Sequence, residues 1–322
     1  MHMKKPEESG TILQLQGFST HDGAGVRTVI FLPGCPLRCR WCANPEAFSI
    51  EPKLAVYSIK CKGCGECKRA CPNSIFPPEL LALTSGCEAC GSCVAACPHD
   101  ALAILGEKVT VEEIVRRVER DEIFFRHSGG GVTFSGGEPT VQEGFLRALT
   151  ESFYRRGVSM WLETCGYFDF DDVKDILEKM EHALYDIKCM NGQLHRQLTG
   201  VDNTLILENC KRLHRLGIPL TVRIPAVKDV NFTEENLRAT ASFMRENLPG
   251  AGIELLPYHN FGHEKYMALG MREQLHEFSA PDKRELSAAY ELFRSLGVEK
   301  VDYSGTYYRQ FRRDPEAGAS SS

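Results

Sequence analysis

Short runs of apolar and β-branched residues alternate along this chain with longer stretches whose apolar positions recur every three or four residues. Gly131-Val-Thr-Phe-Ser135, Met160-Trp-Leu-Glu163, Ala183-Leu-Tyr-Asp-Ile-Lys188, Leu220-Thr-Val-Arg-Ile224 and Ile253-Glu-Leu-Leu256 read as strands. Between them Gln142 to Arg156, Asp171 to Met180, a stretch ending near Gly217, Glu234 to Asn247 and Pro281 to Leu296 read as helices. Val111 to Val118 is a further helix, and Val298 to Tyr303 a last short strand. Upstream, Thr11 to Gln16 and the run Thr28-Val-Ile-Phe-Leu32 supply a first strand pair. Repeated βα units predict an α/β fold with a parallel sheet, open or closed into a barrel. Residues before about Gly10 are expected to be loose, and residues 311–322 to form a disordered tail.

Polar residues collect at the ends of these strands. In order they are the turn after Leu32, Ser135-Gly136-Gly137-Glu138-Pro139, Glu163-Thr164-Cys165-Gly166, Asp186-Ile-Lys188, Arg223-Ile-Pro225 and Pro257-Tyr-His259-Asn260. In a barrel the carboxyl ends of the strands build the active site. Taken singly, each group has a plainer reading: Asp-x-Lys as a solvated ion pair, His259 as a satisfied core histidine. Six successive strand ends delivering polar groups to one rim favour a site.

Cysteine placement sharpens the picture. The turn after Leu32 holds Cys35, Cys39 and Cys42, with Trp41 just before the last. A cubane iron–sulfur cluster needs thiolates on its irons, and one compact loop reaches three of them. No fourth cysteine lies close in sequence, so one iron stays open to a ligand with its own donors; a structural zinc site or buried thiols are the alternatives. Between about Lys53 and Leu105 the composition shifts. Cys61-x2-Cys64-x2-Cys67-x3-Cys71-Pro72 is followed by Cys87-x2-Cys90-x2-Cys93-x3-Cys97-Pro98, an internal repeat of the bacterial ferredoxin run. In that run the fourth cysteine of each set ligates the other set's cluster. One [4Fe–4S] cluster then takes Cys61, Cys64, Cys67 and Cys97; the other takes Cys71, Cys87, Cys90 and Cys93. Paired zinc sites are the competing reading. Cys165, Cys189 and Cys210 show no partner spacing and read as ordinary thiols.

Bulk properties narrow the class. A formal charge of -5 argues against a nucleic-acid partner. No stretch is apolar for long enough to span a bilayer. The polar start lacks a signal peptide's apolar core. Fourteen cysteines without such a signal predict metal ligation in the cytoplasm rather than a disulfide framework. At 322 residues the chain fits one large domain or a domain plus an insert.

Together, Asp22-Gly-Ala-Gly-Val-Arg27, Cys35 to Glu46, Gly136-Gly-Glu-Pro139, Asp186-Ile-Lys188, Val222-Arg-Ile-Pro225 and Leu255-Leu-Pro-Tyr-His259 resemble the activating enzymes of glycyl radical enzymes, within the radical S-adenosylmethionine (SAM) enzymes. The resemblance implies a partial (β/α)6 barrel core over 11–52 and 106–310, with a two-cluster ferredoxin-like insert at 53–105. It implies three [4Fe–4S] clusters, SAM, and a monovalent cation held by Glu163, Thr164 and Asp186. A reduced cluster on Cys35, Cys39 and Cys42 would cleave SAM to methionine and a 5′-deoxyadenosyl radical, which takes a hydrogen from a glycine of the partner enzyme. Gly136, Gly137 and Glu138 are expected to meet the SAM amino group, Lys188 and Arg223 its carboxylate or ribose, Trp41 the cluster side, and His259 the adenosine. Asp22 and Arg27 are expected at the partner peptide, and a flavodoxin or ferredoxin as reductant. Ala24 stands where many relatives have proline, and Glu163 where some have aspartate. Cys42-Ala-Asn-Pro-Glu46 lacks a histidine common after the third cysteine, as do activators of arylacetate decarboxylases such as 4-hydroxyphenylacetate decarboxylase. A radical SAM enzyme acting on a small molecule, peptide or RNA, and a simple electron carrier, are the competing readings.

Overall fold

In the computed structural model, residues 8–74 and 86–303 are described. The tail expected at 311–322 lies outside them. Ser9 and Gly10, expected to be loose, open a strand instead: β1 (Ser9–Ile12) pairs antiparallel with β6 (Glu107–Thr110). The buried amide of Gln142 explains this order, since it accepts from Thr11 N and donates to Thr11 O, both at 2.8 Å. The single strand read over Thr11–Gln16 is therefore two, broken at Leu13, with β2 (Gln14–Ser19) continuing.

The main sheet has eight strands. After β2 come β3 (Arg27–Leu32), β7 (Gly131–Gly136), β8 (Ser159–Thr164), β9 (His182–Asp186), β10 (Leu220–Ala226), β11 (Gly252–Pro257) and β12 (Val301–Tyr303). Their spatial order is β12-β11-β10-β9-β8-β7-β3-β2. Every neighbouring pair is parallel except β2–β3. Helices α5 (Glu143–Arg155), α6 (Phe170–Leu177), α7 (Gly192–Thr199), α8 (Thr204–Arg215), α9 (Glu234–Asn247) and α11 (Lys283–Ser295) fill the crossovers, as parallel strands require. Helices α3 (Val111–Val118) and α4 (Glu122–Ser128) precede β7.

Period-2 alternation divides each strand between two environments. Val132, Phe134, Met160, Leu162, Ala183, Tyr185, Val222, Ile224, Ile253 and Leu255 join the helix-side core with Phe145, Leu149, Phe153, Ile176, Leu213 and Phe293. The intervening residues, among them Thr133, Ser135, Glu163, Asp186, Arg223 and Glu254, point to the other face. That face is concave. Arg223 donates to Glu163, two strands away, at 2.8 Å, and to His21 O in the loop entering β3 at 3.1 Å. Laid flat, β10 and β3 would stand about 19 Å apart at the usual strand spacing, so the sheet must curl around an inward-folded loop.

The segment 53–105 opens on β4 (Lys53–Val56) and closes on its antiparallel partner β5 (Leu102–Leu105). Among the described residues between them lie two short helices, α1 (Glu66–Ala70) and α2 (Ser92–Ala95). Ala55 of β4 packs against Ala268 and Leu269 at the end of α10 (His263–Ala268). No described helix is long and apolar enough to cross a membrane.

Candidate active site

The concave face ends, at the carboxyl tips of its strands, in a cavity of about 450 Å³. That size suits a small organic ligand. Cys35, Cys39, Cys42 and Trp41 form one wall; Gly136, Gly137, Glu163, Thr164, Asp186 and Lys188 form another; Asp22 and His259 also line it. His259 is exposed and stacks on the ring of Phe261 at 4.4 Å.

The cysteine loop is held by backbone bonds. Gly34 N donates to Ala47 O at 2.9 Å, closing the loop, while Arg38 N and Arg40 N donate to Thr199 O and Leu198 O at the end of α7. Arg38 then ties the inside of the turn, donating to Cys35 O at 2.6 Å and Leu37 O at 2.8 Å. Burial pushes the Cys39 thiol up to about 12 and the Cys42 thiol up to about 11. The neighbouring Cys165 thiol and the Leu37 backbone hold Cys35 below its ordinary value despite burial. A metal bound to these thiols would displace their protons.

Around the opposite wall, charges are paired in a buried chain. Arg223 Nε donates to Glu254 at 2.7 Å and Nη1 to Glu163, whose other oxygen accepts from Ser135. Burial would raise Glu163, but the Arg223 charge, the Ser135 hydroxyl and Lys188 together hold it below the ordinary carboxylate range. Lys188 donates to Asp186 Oδ2 at 2.9 Å. Burial still raises Asp186, against that pairing, and raises Asp22 with help from the Glu163 charge. Asp186 Oδ1 is buried with no hydrogen-bond partner among the described residues. An orphaned carboxylate oxygen in a cavity wall is costly unless a ligand donates to it. The residues present thus fit a bound group carrying a cation or an N–H donor.

Three expected contacts are placed elsewhere. Glu138 is wholly buried and is not among the residues that line the cavity. Its Oε1 accepts from Thr140 N and Oγ1, and its Oε2 from Thr164 Oγ1 and Cys165 N. Four donors fill a carboxylate's four acceptor sites, so its work is to fix the turn after β8. Arg223 is also buried and outside the cavity lining, linking two carboxylates to the His21 carbonyl. Arg27 is fully buried. Its guanidinium donates to Thr133 Oγ1 at 2.7 Å and Val132 O at 2.5 Å, and lies 5.0 Å over the Trp161 ring. Through Ala24 O, and through Thr133, which donates to Asp22 O, it braces the Asp22 loop. Gly136 and Gly137 do line the cavity, and their missing side chains matter. A Cβ on Gly136 would fall 2.3 Å from Leu32 O, and one on Gly137 2.2 Å from Gly34 O.

Cys165 was the residue the spacing did not reveal: it lines the cavity, in the apolar cluster that also holds Cys35. Cys189 is buried in the same apolar cluster. Position, not spacing, was the available signal, since Cys165 follows a strand end. Within 53–105, Cys61, Cys64, Cys67 and Cys97 surround one cavity and Cys71, Cys87, Cys90 and Cys93 another. Cys97 thus stands with the first trio and Cys71 with the second. Among the described residues, no three or more His, Cys, Asp or Glu side chains close on a single-ion site.

Residues 29–243 match the family model of the radical SAM superfamily. The isethionate sulfite-lyase activating enzyme of Nitratidesulfovibrio vulgaris is 39% identical over 292 residues, covering 87% of this chain and 94% of that protein. From Clostridioides difficile, the trans-4-hydroxy-L-proline dehydratase activating enzyme is 37% identical (88% and 96% covered) and the 4-hydroxyphenylacetate decarboxylase activating enzyme 34% (90% and 94%). A radical SAM methyltransferase from Sphaerobacter thermophilus shares the fold, with a TM-score of 0.51 over 90% of this chain and 77% of that one at 12% identity. The chain belongs to the radical SAM superfamily and, within it, to the activating enzymes of glycyl radical enzymes. That membership implies a [4Fe–4S] cluster and SAM.

Proposed function

We propose that Cys35, Cys39 and Cys42 hold the cluster, that SAM fills the adjoining cavity, and that a glycine of a partner glycyl radical enzyme is the hydrogen donor. The observation that carries this reading is one cavity joining the three thiols to a buried, unpartnered oxygen of Asp186. When bound, the cluster and SAM supply one-electron reductive cleavage to methionine and a 5′-deoxyadenosyl radical. The chain's own groups bind and orient. Asp186 Oδ1 accepts from the SAM amino group, and Lys188, held by Asp186 Oδ2, presents its charge to the SAM carboxylate. Gly136 and Gly137 let backbone approach the ligand, Trp41 covers the cluster side, and His259 at the rim stacks on the adenine. Glu163 and Thr164 face the same cavity, with Glu163 neutralised by Arg223. A monovalent cation on Glu163, Thr164 and Asp186 is the rival occupant of these oxygens; potassium-dependent SAM affinity would identify it. Asp22, at the end of the inward-folded loop, meets the incoming peptide.

Segment 53–105 serves as a ferredoxin-like insert. Its two rings of four cysteines each suit a [4Fe–4S] cluster that passes electrons inward from a flavodoxin or ferredoxin. A partner is sought among enzymes of the kinds activated by the relatives: isethionate sulfite-lyase, trans-4-hydroxy-L-proline dehydratase and 4-hydroxyphenylacetate decarboxylase. The test is anaerobic incubation of the reconstituted protein with SAM, a reductant and each candidate. Methionine and 5′-deoxyadenosine should appear together with a glycyl radical signal in one of them. Deoxyadenosine that forms with a small molecule, while every candidate stays radical-free, would overturn the assignment.

A further inference from the structure

The two cysteine runs of segment 53–105 repeat one ligand spacing but carry different charge. Aligned on their cysteines, Lys60, Lys62, Lys68 and Arg69 of the first run stand where the second has Gly86, Glu88, Val94 and Ala95. The shared spacing accounts for the cysteines and leaves the basic residues unexplained. All four basic side chains are exposed, in a chain whose formal charge is -5. Glu66, the acidic residue among them, pairs with Arg69.

An apolar side chain stands beside this basic run. Ile59 is 91% exposed, more than any other large apolar residue among those described. Its turn is fixed by the backbone: Lys60 N donates to Tyr57 O at 3.0 Å and Cys61 N to Ser58 O at 3.2 Å. Tyr57 N donates in turn to Ala101 O at 2.8 Å, and its side chain packs against Ala55, Ala268 and Leu269. The Lys60 ammonium lies 5.2 Å over the Tyr57 ring. An isoleucine held out in water by a hydrogen-bonded turn, with cations beside it, has the makeup of an interface: an apolar anchor and a charged rim.

Cysteine access does not distinguish the two rings, since Cys64 and Cys90 are both exposed. Charge does. We propose that the run 59–69 is the docking surface for a small acidic one-electron carrier protein, with Ile59 as its apolar anchor and Lys60, Lys62, Lys68 and Arg69 around it. Positive potential concentrated on one patch of a net-negative chain steers a negatively charged partner to that patch. Glu88, in the place of Lys62, disfavours the same partner at the second ring. The surface rests on the cluster assignment proposed above for segment 53–105. The carrier gives up one electron there and the cluster of Cys61, Cys64, Cys67 and Cys97 accepts it, with no bond made or broken.

The experiment measures binding of a purified acidic flavodoxin to the full, reconstituted protein by calorimetry at low and high salt. The native chain is compared with Lys60→Glu plus Lys62→Glu, with Ile59→Ser, and with Lys283→Glu plus Arg284→Glu, a matched reversal of exposed charges on α11. Reversal at 60 and 62 should weaken binding at low salt by about tenfold or more, and the loss should shrink as salt rises. Ile59→Ser should weaken it by about tenfold at every salt concentration. The reversal on α11 should stay within about twofold of the native chain. Equal losses from the two reversals would report net charge alone and overturn the proposal. Native affinity in Ile59→Ser, or no binding by the native chain, would also overturn it, as would variants that lose affinity for the glycyl radical enzyme and keep it for flavodoxin. Should the reversal beside Cys61 cost iron, Ile59→Ser decides alone. Dithionite in place of the carrier separates the two readings. A native chain that makes the glycyl radical with dithionite but does not bind the carrier defeats this surface only; one that makes none with any candidate defeats the functional assignment.

Discussion

At the scale of single residues, the site is governed by how buried charge is compensated. Arg223 sits between Glu163 and Glu254, with both Arg223 and Glu254 almost wholly buried. Arg223→Ala should leave two carboxylates buried without their cation, a loss of about 3–5 kcal/mol, read as a lower urea midpoint. Glu163 shows the pH consequence. Its folded carboxyl lies below its ordinary value of 4.5, so its contribution is full above that value and is lost as pH falls through the depressed one. Glu163→Gln should therefore destabilise the metal-free protein at neutral pH, by about 2 kcal/mol, and the gap should close in acid below about pH 4.5. Urea midpoints of both proteins across that range measure the gap; one that stays constant would contradict the pairing. Little of this was legible in the sequence. Residue types at the strand ends announced a polar rim, but Glu138 and Arg223 were expected to face a ligand. A linear sequence shows that a carboxylate is near a strand end; it does not show that four donors from neighbouring turns already saturate it.

At the scale of elements, strand alternation was readable because residues such as Val132 and Phe134 pack outward while Thr133 and Ser135 point inward. Helix ends were readable where caps are explicit. Asp282 accepts from Arg284 N and Glu285 N in a capping box that opens α11 at Lys283, near the expected Pro281. What sequence did not reveal were the elements held by long-range contacts. β1 depends on Gln142, more than a hundred residues away. α10 depends on packing against β4 and on Lys265, whose ammonium donates to Asn44 at 2.9 Å and Glu46 at 2.5 Å in the loop after Cys42. That helix therefore ties the cysteine loop to the segment 53–105. Lys265→Met should leave the buried Glu46 carboxylate unpaired, since its second oxygen already has no partner among the described residues. The expected result is faster chelator-driven iron loss from the SAM cluster, with retention of iron in the 53–105 segment. Equal rates at all sites would count against a local tie.

At the scale of the whole molecule, three cysteine-lined cavities among the described residues are distributed between a curled parallel sheet and the segment 53–105. Within 53–105, Cys97 lines a cavity with Cys61, Cys64 and Cys67, and Cys71 lines one with Cys87, Cys90 and Cys93, the grouping that the spacing predicts. The place of Cys165 was not legible, because it depends on how the turn after β8 folds against Cys35. If the cavities act separately, Cys64→Ala should remove about four irons from a total of about twelve and leave the response to SAM intact. The most direct test is electron paramagnetic resonance of the anaerobically reconstituted, reduced protein, with and without SAM, with iron and sulfide counted on the same sample. About twelve irons per chain, and one cluster signal that alone shifts when SAM is added, are the expected result. Signals that all ignore SAM would contradict an open iron at Cys35, Cys39 and Cys42.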